Sequence, residues 1–238
     1  MRKKIVVIIG ACSDIAREIA LEFSKKSFMI ILYGRDKNHL NKLSKNIKSF
    51  GGESVVIIGS VTDENGINNL FEKINKKFER ITHIVYTAGF SPSPNSLSKI
   101  DIADFRLAID VNMYGFYYVV KNIINLKITP LDVFILTSGL GLKGHQSLGA
   151  YSVSKHALEG LVKSVALENL DENVRYIRIC PGGVNTKMLI SLFGLSTANR
   201  EMLPVDVAIA ITKIIDNSII VKNGQGLRIL KEGNNIFN

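Results

Sequence analysis

In the stretch "LTSGLGLKGHQSLGAYSVSKHALEG", Ser138, Tyr151 and Lys155 combine residue types and spacing that can do chemistry. Tyr151 and Lys155 are four positions apart in a segment with helical patterning, which places both side chains on one helical face. A phenol with its ordinary pKa of about 10 is a poor acid or base at neutral pH. A neighbouring ammonium stabilises the phenolate, so Lys155 is expected to bring Tyr151 toward the operating pH for proton exchange with an alcohol or ketone oxygen. Ser138, at the end of an apolar run, is placed to hydrogen-bond that same oxygen. A Tyr-x-x-x-Lys pair on a helix is common and by itself says nothing. Its weight comes from the strand-end serine before it and from the first turn of the chain.

That first turn lies in "IVVIIGACSDIAREIA" (5–20), an apolar run, a glycine and an amphipathic segment. Free amides at a helix N-terminus, together with the positive end of the helix dipole, bind a pyrophosphate. Gly10 supplies the tight turn, but Asp14 and Ala16 stand where two further glycines are expected. Ser13 and Asp14 are both good N-caps, so the Asp14 carboxylate is expected to cap its own helix, and Gly10, Ser13, Asp14 and Ile15 are the expected cofactor contacts of this turn. Ala16 is the smallest replacement that still lets helix and strand approach. Alone, the stretch reads equally well as an ordinary strand–helix turn. After the second apolar run comes "YGRD", where Gly34 removes the acid that would bind a ribose diol and Arg35 supplies a cation suited to a 2′-phosphate. This favours NADP(H) over NAD(H); the plain alternative is a solvated arginine at a helix start.

The elements needed to position these residues follow from the pattern. Short β-branched runs at 4–10, 28–34, 53–59, 82–89, 131–138 and 174–180, with a weaker one at 226–230, are apolar nearly throughout, as suits strands buried on both faces. Helical segments are expected at 14–25, 37–49, 63–79, 101–127, 150–170 and 205–217. The alternation predicts an α/β fold, a doubly wound parallel, Rossmann-like sheet of about seven strands with helices on both faces. A single domain over 1–238 is expected, with loops at 90–99 and 185–202. Residues near 187–203, containing "MLISLFGL", are expected to form a short substrate lid. Ligands in such sheets lie beyond the carboxyl ends of the strands, where both loops would sit.

Composition narrows the classes further. The 238 residues are 46% hydrophobic and 21% charged, typical of a folded chain. No apolar run reaches the roughly 18–20 residues that span a bilayer, so no membrane association is expected. The start "MRKKIVVIIGAC" mimics an export signal, but Asp14, Arg17 and Glu18 follow at once, so a cytoplasmic location is expected. Cys12 and Cys180 have no metal-ligand spacing; no metal is expected, and the two are read as buried thiols rather than a disulfide. The net charge of +9 is spread along helices rather than clustered with aromatics, so nucleic acid is not expected as a partner. His145 and Gln146 face either substrate or solvent. Phe116, Tyr117 and Tyr118 read as core and subunit interface.

Taken together, Gly10 through Ala16, "TAG" at 87–89, "DVNMYG" at 110–115, Ser138, Tyr151, Lys155 and "PGGVNT" at 181–186 resemble the short-chain dehydrogenase/reductase family over essentially the whole chain, including the twelve residues between Ser138 and Tyr151. The resemblance implies a catalytic set of Asn112, Ser138, Tyr151 and Lys155. In that set Tyr151 is the acid/base, and Lys155 lowers its pKa and holds the nicotinamide ribose. Ser138 polarises the substrate carbonyl, and Asn112 kinks its helix and holds a relay water. It also implies that Ser60 and Val61 lie at the adenine, Ala88 and Gly89 on the adenosine side, and Pro181 and Gly182 against the nicotinamide, with Val184 and Thr186 bonding its carboxamide. Departures are Asp14, Ala16, Ser60 in place of the family's usual Asp, and Tyr86–Thr87 in place of two asparagines. They fall at the cofactor end and leave the catalytic set whole. The implied function is an NADP(H)-dependent oxidoreductase interconverting a ketone and a secondary alcohol. Its substrate would be a free or carrier-linked carbonyl, or a keto-sugar nucleotide, and the family's helix pairing implies a homo-oligomer, dimer or tetramer. Two other readings are a non-catalytic dinucleotide-binding regulator and a nucleotide-sugar epimerase or dehydratase.

Overall fold

The computed structural model describes residues 3–123, 126, 130–168 and 173–238. The first half alternates strictly: β1 (Ile5–Ile9), α1 (Asp14–Lys25), β2 (Met29–Gly34), α2 (Lys37–Ser49), β3 (Glu53–Ile58), α3 (Glu64–Lys77) and β4 (His83–Tyr86). Then come α4 (Ile102–Ile109), a π-helical turn at Asp110–Tyr114, α5 (Gly115–Ile123), β5 (Leu131–Leu136) and α6 (Gly149–Glu168). The chain continues through β6 (Val174–Pro181), α7 (Lys187–Phe193), α8 (Leu195–Ala198), α9 (Pro204–Ile215), β7 (Gly226–Leu230) and β8 (Gly233–Phe237). The ends of the helical segments expected at 101–127 and 150–170 fall partly outside the described residues.

The strands form one sheet in the order β3-β2-β1-β4-β5-β6-β7-β8, parallel through β7. Both faces are covered, which is why the strands lack alternation. One core layer joins the sheet to α1, α2 and α9; the other joins it to α3, α5 and α6. Val6 to Ile9 are fully buried, each side chain worth about 1.5–3 kcal/mol relative to exposure.

Two expectations are corrected. The sheet has eight strands among the described residues rather than about seven. β8 folds back antiparallel on β7 through a two-residue turn, and four of its five residues are exposed. An exposed edge strand needs no apolar run, so "GNNIF" carries no strand signal. Gly226 makes room for it, since a Cβ there would lie 2.4 Å from the Phe237 ring. Phe237 in turn covers the guanidinium of Arg178 at 4.7 Å. The second correction is the helix expected over 101–127, which the π-helical turn around Asn112 divides into α4 and α5.

Candidate active site

The sheet order reverses between β1 and β4, which open a crevice at their carboxyl ends. Gly10 has φ +89 and a Cβ there would lie 2.4 Å from the Ala88 amide nitrogen, so only glycine allows this approach. The resulting cleft has a volume of about 1080 Å³ and is lined by every residue expected at the catalytic or cofactor site except Asn112.

At the phosphate end, Ser13 is the N-cap of α1, its Oγ accepting from Ala16 N at 3.1 Å. The amides of Asp14 and Ile15 have no protein acceptor among the described residues, leaving two donors at the positive end of the helix. A dinucleotide pyrophosphate fits this cradle. The expectation for Asp14 is corrected. Its carboxylate does not cap α1; Oδ2 accepts from Lys187 N at 2.7 Å, at the start of α7. Thr186 is the N-cap of α7, its Oγ1 accepting from Leu189 N at 3.2 Å. Asp14 therefore pins the segment expected as a lid to the phosphate loop, through a bond between residues 173 positions apart.

The departures at the adenine end have local structural uses. Thr87 Oγ1 donates to the carbonyls of Ile9 and Gly10 at 3.0 Å, bracing the glycine turn. Tyr86 donates to the Val111 carbonyl at 2.6 Å, beside the π-helical turn. Ser60 Oγ pairs with Thr62 Oγ1 at 2.8 Å, and its carbonyl accepts from the Tyr33 hydroxyl at 3.1 Å. Arg35 is exposed at the cleft edge, while neighbouring Asp36 caps α2 by accepting from His39 N at 2.9 Å. At Gly34 a Cβ would lie 2.8 Å from the Cys12 Sγ, so a side chain there would displace the thiol.

At the chemical end, Ser138 follows β5 and caps a short 3-10 turn, Oγ accepting from Leu140 N at 3.1 Å; its hydroxyl also hydrogen-bonds the Tyr151 phenol. Tyr151 keeps part of its surface open to the cleft, yet burial pushes its pKa up to about 12, with the Ser138 bond opposing. Lys155 Nζ donates to the Leu136 carbonyl at 2.9 Å and lies 5.7 Å from the Tyr151 ring centre. Burial brings Lys155 itself down to about 8, opposed by the charge of Glu159. At neutral pH the site thus holds a neutral phenol beside a cationic lysine.

Asn112 lies behind the cleft wall, fully buried. Its Oδ1 accepts from Phe90 N, and Nδ2 donates to Phe90 O and Ser154 Oγ, at 2.7–2.8 Å. Both amide protons are used, so the side chain anchors the Gly89–Phe90 segment that follows β4. Only the remaining Oδ1 lone pair is left for the expected relay water. Cys180 is a buried free thiol pushed up to about 11 by burial, and Cys12 is a half-buried free thiol.

Sequence reasoning missed Lys187, whose amide meets Asp14, and Arg228 of β7 and Glu201, which line the cleft. Nothing in "GLRIL" distinguishes Arg228 until the strand is placed. His145 does line the cleft, its ring 6.0 Å from Phe193 of α7. Among the described residues no cluster of three or more His, Cys, Asp or Glu is arranged to hold a metal, and no helix is long and apolar enough to cross a membrane.

A Rossmann-like sheet with a glycine turn at its switch point and a Ser–Tyr–Lys group beside it defines a class of dinucleotide-dependent oxidoreductase. The family model for short chain dehydrogenase matches residues 4–194, and the chain belongs to that family. A 3beta-hydroxysteroid dehydrogenase of Mediterraneibacter gnavus is 25% identical over 187 residues, covering 78% of this chain and 68% of that protein. An NADPH-dependent pterin aldehyde reductase of Arabidopsis thaliana is 26% identical over 226 residues, covering 94% and 92%. The solved structure of ElxO with NADP bound superposes with a TM-score of 0.83 at 26% identity, covering 96% of this chain and 97% of that one. The protein is an oxidoreductase enzyme of this family.

Proposed function

We propose that the protein is an NADP(H)-dependent carbonyl reductase or secondary-alcohol dehydrogenase with Tyr151 as its acid/base. The observation that carries this reading is the shared cleft: Ser138, Tyr151 and Lys155 line the same space as the free amides of α1. When bound, the nicotinamide supplies or accepts the hydride. The Ser138 hydroxyl polarises the substrate C=O by donating to its oxygen. As the carbonyl carbon gains hydride and its π bond breaks, the Tyr151 hydroxyl donates its proton to the oxygen, and the alcohol results. Lys155, cationic at neutral pH, stabilises the phenolate left behind, and Asn112 fixes the segment after β4 beside which the ribose would lie.

Several features support the wider reading. Arg35 favours the 2′-phosphate of NADP(H), and the name of the plant relative and the bound ligand of ElxO point the same way. Residues 1–238 act as one unit, with 187–203 as a lid held by Asp14. Exposed apolar residues on α4, α5 and α6, among them Ile102, Tyr117 and Val153, suit pairing of these helices in a cytoplasmic homo-oligomer. The test is oxidation of NADPH and NADH against free ketones, acyl thioesters and keto-sugar nucleotides. NADPH-dependent reduction of at least one class is expected, and a strong NADH preference contradicts the role given to Arg35.

A further inference from the structure

β7 contributes an arginine to the cleft that no step above uses. Leu227 and Ile229 belong to the core layer of α1 and α9, so strand alternation turns Arg228 to the opposite face, that of α6, which carries Tyr151 and Lys155. Register pairs Arg228 with Cys180 on β6, next to the Pro181–Gly182 turn. Arg228 lines the cleft, yet its Nε is buried and has no hydrogen-bond partner, and the guanidinium makes no ion pair among the described residues. The contrast with Arg178 is direct. On the same sheet face, Arg178 also has a buried nitrogen without a partner, Nη2, but its charge is balanced by Glu159 at 2.6 Å and its guanidinium is covered by Phe237. Arg228 has no such carboxylate. Glu201 lines the same cleft, packed over Gly183, but is not paired with it; Lys143 and His145 add further basic groups to the lining. A half-buried guanidinium that faces an open cleft with its Nε unpartnered matches a planar or tetrahedral oxyanion, which its fork binds through two parallel N–H···O bonds.

We propose that Arg228 determines substrate specificity: the carbonyl compound reduced at Tyr151 carries an anionic oxygen group, a carboxylate or a phosphate, held by the Arg228 guanidinium on the β7 side of the cleft. This rests on the carbonyl-reductase reading. The test compares NADPH-dependent reduction of matched ketones ending in a methyl ester, a carboxylate or a phosphate monoester, in the wild type and in Arg228→Gln and Arg228→Lys. The wild type should favour one anionic ketone over the ester by about tenfold or more in kcat/KM, carried by KM, and which anion wins separates carboxylate from phosphate. Arg228→Gln should bring the ratio close to one, and Arg228→Lys, which keeps the charge without the fork, should fall between. A wild type that prefers the ester, or a ratio unchanged in both variants, overturns the proposal while leaving carbonyl reduction intact. If no ketone of the series turns over, the substrate reading fails, and binding decides the anion site. Glutarate and inorganic phosphate are titrated against the NADPH-loaded wild type and Arg228→Lys and followed by thermal shift. An upward shift that is reduced in the variant supports the site, and no shift, or equal shifts, overturns it.

Discussion

At the scale of single residues, burial sets the state of the groups at the chemical end of the cleft. Tyr151, Lys155 and Ser138 follow from spacing and from a strand end. That burial raises the Tyr151 pKa, and that Lys155 donates to the Leu136 carbonyl, depends on how deep each side chain sits. The consequence is a pH profile. Lys155 is cationic below about 8 and neutral above it, so reduction should be flat near neutrality and fall as pH rises through that value. Measuring kcat against pH in the reduction direction checks this; a rate that climbs from pH 7 to 9 contradicts it. Arg228 was silent in the sequence for a related reason, because an arginine in a strand means nothing until its face is known.

At the scale of elements, α1 and α2 have the bounds that their patterning predicts, since caps and apolar faces are local signals. Two features are not local signals, although the family resemblance already implied the kink at Asn112. The π-helical turn reflects Asn112 bonding to Phe90 and Ser154, and β8 is a polar edge with no apolar signature. The Asp14 link from phosphate loop to lid belongs here too, because its partner is remote in sequence. Its carboxylate adds negative charge beside a phosphate cradle, an interaction of about 1 kcal/mol at 4 Å in water. Asp14→Asn keeps an acceptor for the Lys187 amide and removes the charge. NADPH should then bind roughly fivefold more tightly at low salt, with the gain shrinking at high salt. Calorimetric titration at two ionic strengths reads this, and unchanged or weaker binding contradicts it.

At the scale of the whole molecule, the doubly wound order was legible from the βαβ alternation, and the switch point follows from the fold itself. The molecule's response to acid was not. His83 opens β4 among the rings of Phe23, Phe28 and Phe134, and burial brings its pKa down to about 4. The unfolded chain binds this proton more readily than the folded one, so the stability is fully present above about 6.5 and is lost as pH falls through about 4. Over that window it amounts to roughly 3 kcal/mol. His83→Phe should flatten the acid limb of a denaturation series between pH 7 and 4, and a limb as steep as in the wild type contradicts this.

The central claim is that Tyr151 moves the proton in a cleft that also holds the dinucleotide. Its most direct test is Tyr151→Phe, with NADPH binding and ketone reduction measured on the same preparation. Binding should survive within about twofold while turnover falls by about a thousandfold. A phenylalanine variant that reduces ketones at the wild-type rate contradicts the claim.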